Sequence, residues 1–600
     1  MKKTLTFLFT FIIILHVFSQ QDKRLKGLDK DLQKIMDVTM APGFSVAIVD
    51  KGQVIYAKGF GYRDVENKIP ADENTIYAIG SSTKAFTSCI LGKLRQEGDL
   101  EFGDSPIKHV PELRFYNDEL NSKIIIKDLM CHRTGLPRHD YSWYLFPTTC
   151  KDSLVQRIEY QEPFTGLREQ WYYNNFMFLL QGVIAERITG KSWEDNIRDR
   201  FFKPLGMSSS NVSIDELVKS GNAAAGYEVL HDSIISKMDY YDIAGMSPAG
   251  SINSSVEDMA NWLITWINGG KFDGQEIIPT AYLTEAIGSQ MVVTGALPTE
   301  ELPDMHFTNY GYGWFLSSYR GHYRVEHGGN IDGFSANVAF FPSDSIGIVV
   351  LTNQNASPLP TMVRNTIADR MLNTDKTNWA ERFVEKKEEA KQNQDEAKVD
   401  GKTDKVENTR PSHILQDYTG MYTNPGYGSF TIVLENDSLF ALFKLKKLFL
   451  KHYHYDVFEP FEVKASGIDT SDSDGQRLNF STGNSGDITS VNINVEMALD
   501  HPVEFKHTPN TMEVDSVALE QYTGDYEIGG TTIEVYTKIG NTLYLFVPGQ
   551  PEYELLPTSK HKFSFKALEG FKVEFVESEE GAVNEVIIIQ PNGTFKAKRK

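Results

Sequence analysis

Six hundred residues exceed what a single hydrophobic core supports, so we expect two to four domains. Hydrophobic residues make up 40% of the chain and aromatic residues 12%, which indicates that most of it is globular. A formal net charge of -21 repels phosphate backbones and excludes nucleic acid as an expected partner.

The first twenty residues have the pattern of an export signal. Lys2 and Lys3 precede an apolar run from Leu5 to Phe18 that is too short for a comfortable membrane span. No later stretch contains eighteen uninterrupted apolar residues. We therefore expect residues 1–20 to be a signal peptide and the mature protein to be periplasmic or secreted, with no membrane span.

Strands are predicted at both ends of the region between about residues 25 and 373, and helices between them. The predicted strands are Gly43–Val49 and Gln53–Lys58, which form a hairpin, and Tyr323–His327, Phe334–Phe341 and Ile346–Leu351. Gly328-Gly329 is predicted to be a turn, and Ser254-x-x-Glu257 a capping box that begins a helix. We expect one antiparallel sheet closed by the two ends of the region and covered by helices.

A serine and a lysine lie one helical turn apart at Ser81-x-x-Lys84. Apolar residues recur at helical spacing beyond Lys84, so Ser81 is expected in the first turn of a buried helix. The N–H groups of a helix N-terminus favour a developing oxyanion, and a nearby amine can take the serine proton. The motif alone is weak, because Ser-x-x-Lys also occurs at Ser105 and Ser559. In isolation, an ordinary N-cap and a solvated lysine would be the better explanation of Ser81 and Lys84.

The last third of the chain contains an internal repeat. After a charged helix and linker at residues 374–413, the segment Leu415–Tyr422 recurs as Leu519–Tyr526, each time before a strand-turn-strand pattern. We predict two β-rich modules, at residues 414–510 and 511–600. The repeated Tyr-Thr-Gly is interpreted as a packing motif at the entry to a strand.

Several ordered motifs together resemble the class C β-lactamase-like serine hydrolases, a family related to penicillin-binding proteins, D-amino-acid peptidases and esterases. The matching segments are Ser81-x-x-Lys84, Leu129–Pro137, Pro204–Met207, Pro248–Gly250, Gly311–Trp314, His327–Gly329 and Val349–Asn353. The resemblance covers nearly all of residues 25–373. It implies an α/β (α+β) fold of the β-lactamase/transpeptidase type, in which an antiparallel sheet is covered by helices.

The second catalytic element of this family is Tyr-x-Asn, and two registers fit locally. The spacing to Leu180 and Gly182 resembles the family pattern when Tyr173 and Asn175 are used, so we choose them over Tyr172 and Asn174. The resemblance implies that Tyr173 helps to deprotonate the nucleophile and protonates the leaving group, and that Asn175 orients substrate and Lys84. A free phenol has a pKa of about 10, and the sequence leaves open whether Lys84 or Tyr173 is the base.

The third element is usually Lys-Thr-Gly, but this chain has His327-Gly328-Gly329, as esterase-like and peptidase-like members do. Without that lysine, no fixed cation holds a substrate carboxylate, which argues against efficient β-lactam hydrolysis. The resemblance implies an oxyanion hole formed by the backbone N–H groups of Ser81 and Asn330, with His327 and Gly329 lining the substrate site. His327 is interpreted as a strand residue rather than a general base.

The sequence therefore predicts an exported serine hydrolase that forms an acyl-enzyme on Ser81 and acts on a small-molecule or peptide substrate. Peptides, amides and esters all fit, and D-amino-acid peptides are a plausible class. The alternative is a binding or sensor protein on the same fold that acylates slowly or not at all. No metal or other cofactor is expected, since no histidine cluster has zinc-site spacing. The β modules can be lipocalin-like barrels that shape access to the cleft or build an oligomer.

Overall fold

The computed structural model describes residues 22–600 except 296–297, 300–306, 400–403, 465–466, 472, 474, 511–513, 539–541 and 569. The predicted signal peptide lies outside the described residues. In the described part of the chain, no helix has the length and apolar character that a membrane crossing requires.

Nine strands form the main sheet of the N-terminal domain. In chain order they are β1 (Gly43–Asp50), β2 (Gln53–Asp64), β3 (Ile69–Pro70), β4 (Met291–Thr294), β5 (Thr308–Tyr310), β6 (Phe315–Tyr319), β7 (His322–Ile331), β8 (Phe334–Phe341) and β9 (Ile346–Thr352). Their spatial order is β4-β5-β6-β7-β8-β9-β1-β2-β3, and neighbouring strands are antiparallel throughout. The first and last strands are neighbours, with Phe44 opposite Thr352, so the prediction of a sheet closed by its two ends is confirmed.

Each face of this sheet is covered by helices. The longer ones are α1 (Leu28–Thr39), α2 (Lys84–Glu97), α3 (Phe176–Thr189), α4 (Val256–Ile267) and α5 (Leu359–Met371). Since successive side chains of a strand point to opposite faces, Val46 and Ile48 of β1 pack with α1 and α5, whereas Ala47 and Val49 pack in the core that contains α2, α3 and α4. The sheet thus separates two hydrophobic cores.

Shorter elements connect these layers. The short α-helices are Pro106–His109, Asp118–Lys123, Ile126–Met130, Tyr141–Tyr144, Lys151–Arg157, Trp193–Ile197, Lys203–Leu205, Ile214–Lys219, Ser247–Gly250 and Thr280–Ala286. The 3-10 turns are Lys23–Leu25, Gly80–Thr83, Ile158–Tyr160 and Ala244–Met246, and Arg198–Phe202 is a π-helical turn. Two-stranded ribbons pair Tyr77–Ala78 with Asn253–Ser254, Gly226–Leu230 with Ile234–Met238, and Lys271–Phe272 with Gln275–Glu276.

Two local predictions were wrong. Gly328 and Gly329 are not a turn but continue β7, and the chain reverses at Asp332-Gly333 instead. The cap of α4 is Ser255, whose side chain accepts a hydrogen bond from the Asp258 N–H, whereas Ser254 belongs to a ribbon strand. In both cases contacts with distant parts of the chain decide a conformation that the local residues leave open.

The C-terminal region forms two antiparallel barrels, so the prediction of two β-rich modules is confirmed. Barrel 1 contains Gly420–Asn424, Gly428–Glu435, Ser438–Leu442, Lys447–His454, Val457–Lys464, Leu478–Thr482, Ile488–Ile493 and Val503–Pro509, with Gly467–Ile468 added beside the fifth strand. Barrel 2 contains Gly524–Ile528, Thr531–Lys538, Thr542–Phe546, Glu552–Ser559, Lys562–Phe565, Lys572–Glu577, Val583–Gln590 and Gly593–Arg599. A 3-10 turn at Leu415–Tyr418 and a helix at Ser516–Glu520 precede the two barrels.

The charged segment before barrel 1 is more helical than expected. Its helix runs from Trp379 to Val399 rather than ending near Lys387. Glu, Lys, Gln and Ala, which dominate this stretch, are strong helix formers. The boundaries predicted from the sequence for the N-terminal domain, the linker and the two modules stay predictions.

Candidate active site

Ser81 lies in the 3-10 turn that leads into α2. Gly80 has φ +49°, and a Cβ atom there would lie 2.8 Å from the Asn330 backbone nitrogen. Gly329 contributes from the other side, because a Cβ on it would lie 1.9 Å from the Ile79 carbonyl oxygen. Glycine at both positions therefore lets the serine turn press directly against β7, which brings the backbone segments carrying the Ser81 and Asn330 N–H groups together.

Lys84 begins α2, and its side chain is completely buried beside Ser81. Its Nζ lies 2.9 Å from Ser81 Oγ, 2.7 Å from Asn175 Oδ1 and 2.8 Å from the Ala249 carbonyl oxygen. Burial lowers the pKa of the Lys84 amine well below its ordinary value, and the positive charge of Arg138 lowers it further. This environment favours a neutral amine.

Tyr173 covers the other side of the lysine. Its ring centroid is 4.8 Å from Lys84 Nζ and 4.8 Å from Arg138 Cζ. Its buried hydroxyl has no hydrogen-bond partner among the described residues. Burial raises the pKa of Tyr173 above its ordinary value, and the neighbouring Ser81 hydroxyl opposes this only in part. The phenol is therefore neutral and lies beside Lys84 and Ser81.

The second Tyr-x-Asn register occupies different surroundings. Tyr172 packs on Phe164, with ring centroids 4.6 Å apart. Asn174 donates its side-chain N–H to the Pro137 carbonyl and its backbone N–H to His132 Nδ1. The structure thus places Tyr173 and Asn175, and not Tyr172 and Asn174, against Lys84.

His327 lies behind Tyr173 and does not line the cleft. Its Nε2 is 2.9 Å from the Tyr310 hydroxyl, and its Nδ1 is 2.6 Å from the Gly328 carbonyl. Burial lowers the pKa of His327 to about 3, so the ring is neutral. Both His327 and Gly329 support the site from behind the cleft lining. That either residue contacts substrate stays a prediction.

An open cleft of about 270 Å³ leads to Ser81. Its lining includes Ser81, Asn175 and Asn330, which the sequence singled out. It also includes four side chains that sequence reasoning missed: Arg138, Asp140, Tyr144 and Asp332. The available signals were weak: three of the four lie in an irregular, aromatic-rich stretch after Pro137, and the fourth follows Asn330 by two residues.

Asp140 links three side chains at the cleft by hydrogen bonds. It accepts hydrogen bonds from Arg138 Nε at 2.6 Å, Asn175 Nδ2 at 2.8 Å and Trp143 Nε1 at 2.8 Å. Because Asn175 Oδ1 accepts from Lys84, these bonds connect the lysine to the cleft wall. Asp140 thereby fixes which end of the Asn175 amide faces the lysine.

The stretch 138–147, here called the cleft loop, is also attached to barrel 1. Ser142 Oγ donates to the Gly426 carbonyl at 2.6 Å, and the His139 backbone N–H donates to Glu496 at 2.6 Å. Phe146 belongs to the hydrophobic core of barrel 1. One wall of the cleft is therefore held by the module that follows the N-terminal domain.

An antiparallel sheet covered by helices, with a serine and a buried lysine at the start of one helix, defines the class of β-lactamase-fold serine hydrolases. The chain belongs to the Beta-lactamase family, whose model matches residues 28–370. Residues 404–507 match a second family, described as Domain of unknown function (DUF3471).

Known proteins that resemble this chain match it over different lengths. Protein flp of Staphylococcus aureus (strain MW2) is 29% identical over 343 residues, which are 56% of this chain and 64% of that relative, so the match covers less than two thirds of the relative. Unguisins hydrolase ungD' of Aspergillus campestris (strain IBT 28561) is 27% identical over 445 residues, 68% of this chain and 78% of that protein. The octameric penicillin-binding protein homologue from Pyrococcus abyssi shares the fold, with a TM-score of 0.53 and 21% identity over 80% of this chain and 99% of that chain.

Proposed function

We propose that the chain is an exported serine hydrolase that forms an acyl-enzyme on Ser81 and cleaves peptide, amide or ester substrates. The observation that carries this proposal is the set of contacts around Lys84. A neutral amine has two N–H donors and one lone pair. The Asn175 and Ala249 oxygens can only accept, so they use the two donors and leave the lone pair for the Ser81 hydroxyl proton.

These contacts favour Lys84 as the base that activates Ser81. A phenolate at Tyr173 is disfavoured, because burial raises the pKa of that phenol. Lys84 takes the Ser81 proton while Oγ attacks the substrate carbonyl, and the Ser81 and Asn330 N–H groups stabilise the oxyanion. Tyr173 gives a proton to the leaving amine or alcohol and recovers one from the Lys84 ammonium group, so both return to their starting states.

Deacylation reverses these roles. Water attacks the acyl carbonyl and gives its proton to Lys84, and Ser81 Oγ leaves and recovers that proton.

β-Lactams are poor substrates in this proposal, because the position of the usual lysine is taken by His327, which is neutral and hydrogen-bonded to Tyr310. The name of the Aspergillus relative supports a hydrolase rather than the alternative of a binding or sensor protein.

The proposal also covers the cellular location and the oligomeric state of the protein. The apolar segment after Lys2 and Lys3 supports export to the periplasm or the medium. The octameric state named for the Pyrococcus homologue supports an oligomer, with the C-terminal barrels available as contact surfaces.

Labelling with a fluorophosphonate tests the proposal. The intact protein is expected to gain the mass of one adduct, and Ser81→Ala is expected to gain none and to lose hydrolysis by roughly a thousandfold or more. Ser105→Ala is the matched control, because it changes the serine of another Ser-x-x-Lys and is expected to label fully. Equal labelling of wild type and Ser81→Ala would contradict the proposal, and no adduct on either folded protein would favour the binding alternative.

A further inference from the structure

Asp332 presents a carboxylate to the cleft that the proposed chemistry does not use. It lies two residues beyond Asn330, in the turn between β7 and β8, and it lines the same cleft as Ser81. The Tyr144 hydroxyl donates to both carboxylate oxygens, at 3.2 and 3.0 Å. The carboxylate is therefore held in one orientation by a side chain of the cleft loop.

The other charges in the cleft are compensated. Arg138 and Asp140 form an ion pair at 2.6 Å. Within the described ranges, no lysine, arginine or histidine forms an ion pair with Asp332, and Lys446, whose charge acts on it, lies 3.4 Å from Glu462. Partial burial raises the pKa of Asp332 above its ordinary value, and the Tyr144 hydrogen bond and the charge of Lys446 oppose this only in part. The cleft thus carries a carboxylate that is held in one orientation and has no direct ion-pair partner among the described residues.

The course of β7 indicates which part of a substrate meets Asp332. His327, in the middle of β7, lies beside Tyr173, with ring centroids 6.2 Å apart, and Tyr173 is the proposed proton donor to the leaving group. Asn330, the proposed oxyanion donor, follows three residues later, and Asp332 comes two residues after it, in the turn that ends β7, so the chain runs away from Tyr173. Two residues span at most about 7 Å. The leaving group and Asp332 therefore lie on opposite sides of the scissile carbonyl, and the carboxylate faces the acyl part.

We propose that Asp332, oriented by Tyr144, binds a protonated amine on the acyl part of the substrate. The two-residue separation from Asn330 allows an ammonium group up to about 7 Å from the carbonyl, as in a side-chain amine or the amine of a preceding residue. A carboxylate that accepts a charge-assisted hydrogen bond in a partly buried site discriminates strongly for such a group. This inference rests on the proposed hydrolase function and assigns its substrate class.

Two esters of equal shape test the inference. The acyl chains of p-nitrophenyl 6-aminohexanoate and p-nitrophenyl heptanoate differ only in a terminal ammonium or methyl group. The readout is the ratio of kcat/KM for the amine ester to kcat/KM for the neutral ester, measured near pH 7. Wild type is expected to favour the amine ester by about tenfold or more, and Asp332→Asn is expected to bring the ratio close to one.

Asp242→Asn is the matched control. Asp242 is an exposed aspartate near the cleft that accepts the Ala244 N–H, and the substitution removes the same charge without changing the cleft lining. The ratio in this variant is expected to stay within about twofold of wild type, because exposed charges are screened. Asp332→Glu, which keeps the charge, is expected to retain a preference for the amine ester.

Two results would overturn the inference: a wild-type ratio at or below one, which needs no variant, or an unchanged ratio in a folded Asp332→Asn protein. These results differ from failure of the proposed function. That failure would appear as no Ser81 adduct and no hydrolysis of either ester, whereas an adduct and heptanoate hydrolysis without an amine preference would refute only the role of Asp332.

Discussion

The two C-terminal barrels begin in the same way but relate differently to the rest of the molecule. In barrel 1 the Tyr422 hydroxyl donates to the Tyr418 carbonyl at 2.9 Å, and in barrel 2 the Tyr526 hydroxyl donates to the Tyr522 carbonyl at 2.9 Å. All four tyrosines are buried. The repeated motif therefore fixes the entry of the chain into each barrel, and it has the packing role that the sequence suggested.

The difference lies in what surrounds each barrel. Barrel 1 takes Phe146 of the cleft loop into its own core, where the ring lies 5.5 Å from Phe443 and 5.9 Å from Phe505. Barrel 2 meets barrel 1 through the ion pair of Lys572 with Asp487, whose side chains are 46% and 41% exposed. A duplicated module can thus become part of an active-site wall in one copy and stay a peripheral attachment in the other, with no change of fold.

The largest expected effect comes from removing the Phe146 ring, which anchors the cleft loop in barrel 1. Phe146→Ala is expected to lower the free energy of unfolding by about 3 to 5 kcal/mol, since it deletes a core phenylalanine and leaves a cavity. Urea denaturation measures the loss. Phe595→Ala in barrel 2, where the ring is 39% exposed, is the control and is expected to cost less than about 1 kcal/mol. Similar losses in the two variants would show that the cleft loop is no better anchored than an ordinary barrel surface.

Acid is expected to weaken the attachment of the cleft loop to barrel 1, to which His139 belongs. Burial lowers the pKa of His139 to about 4, whereas an unfolded histidine has a pKa of about 6.5. The unfolded state therefore binds the proton first as pH falls, and stability is lost progressively from about pH 6.5 down to about pH 4, by about 2 kcal/mol at pH 5. Above this window His139 contributes no pH dependence.

His139→Asn is the variant that isolates this effect. Urea denaturation between pH 7 and pH 5 is expected to show a smaller loss of stability in His139→Asn than in wild type. The exposed His501 has a raised pKa, so His501→Asn is expected to change the slope weakly and in the opposite direction. Parallel profiles of wild type and His139→Asn would refute the assignment.

The smallest expected effect concerns the attachment of barrel 2. Lys572→Ala removes an exposed ion pair and is expected to change the free energy of unfolding by less than about 0.5 kcal/mol, and ester hydrolysis by less than about twofold. Thermal unfolding and steady-state kinetics measure the two quantities. A large loss of activity would mean that barrel 2, like barrel 1, contributes to the cleft.

The fold was predictable because its signals are distributed along the chain. Ordered motifs, strand patterns at both ends of the domain and a repeat in the last third each agree with the observed sheet and barrels. Gly328 and Gly329 misled the prediction because two glycines are a common turn signal, whereas here Gly329 is needed for close contact with Ile79, far away in the sequence.

Ser81 and Lys84, the proposed nucleophile and base, share one helical turn, so their proximity follows from the sequence alone. Asp332 and Tyr144 are 188 residues apart, and only the folded chain brings their side chains together. The same holds for Arg138, whose charge reaches Lys84 and lowers its pKa. The residues proposed to activate the nucleophile were thus predictable from local spacing, but the residues proposed to select a substrate were not.

The pairing of β1 with β9 has a consequence for how the domain folds. Phe44 finds its neighbour Thr352 only after the whole of the intervening chain has been made, and these two strands lie inside the sheet rather than at its edge. Closing so long a loop has a high entropic cost, and contacts of this kind slow folding. Until β9 pairs with β1, one edge of β1 has no partner strand, and each of the two hydrophobic cores lacks the side chains that β9 contributes to it.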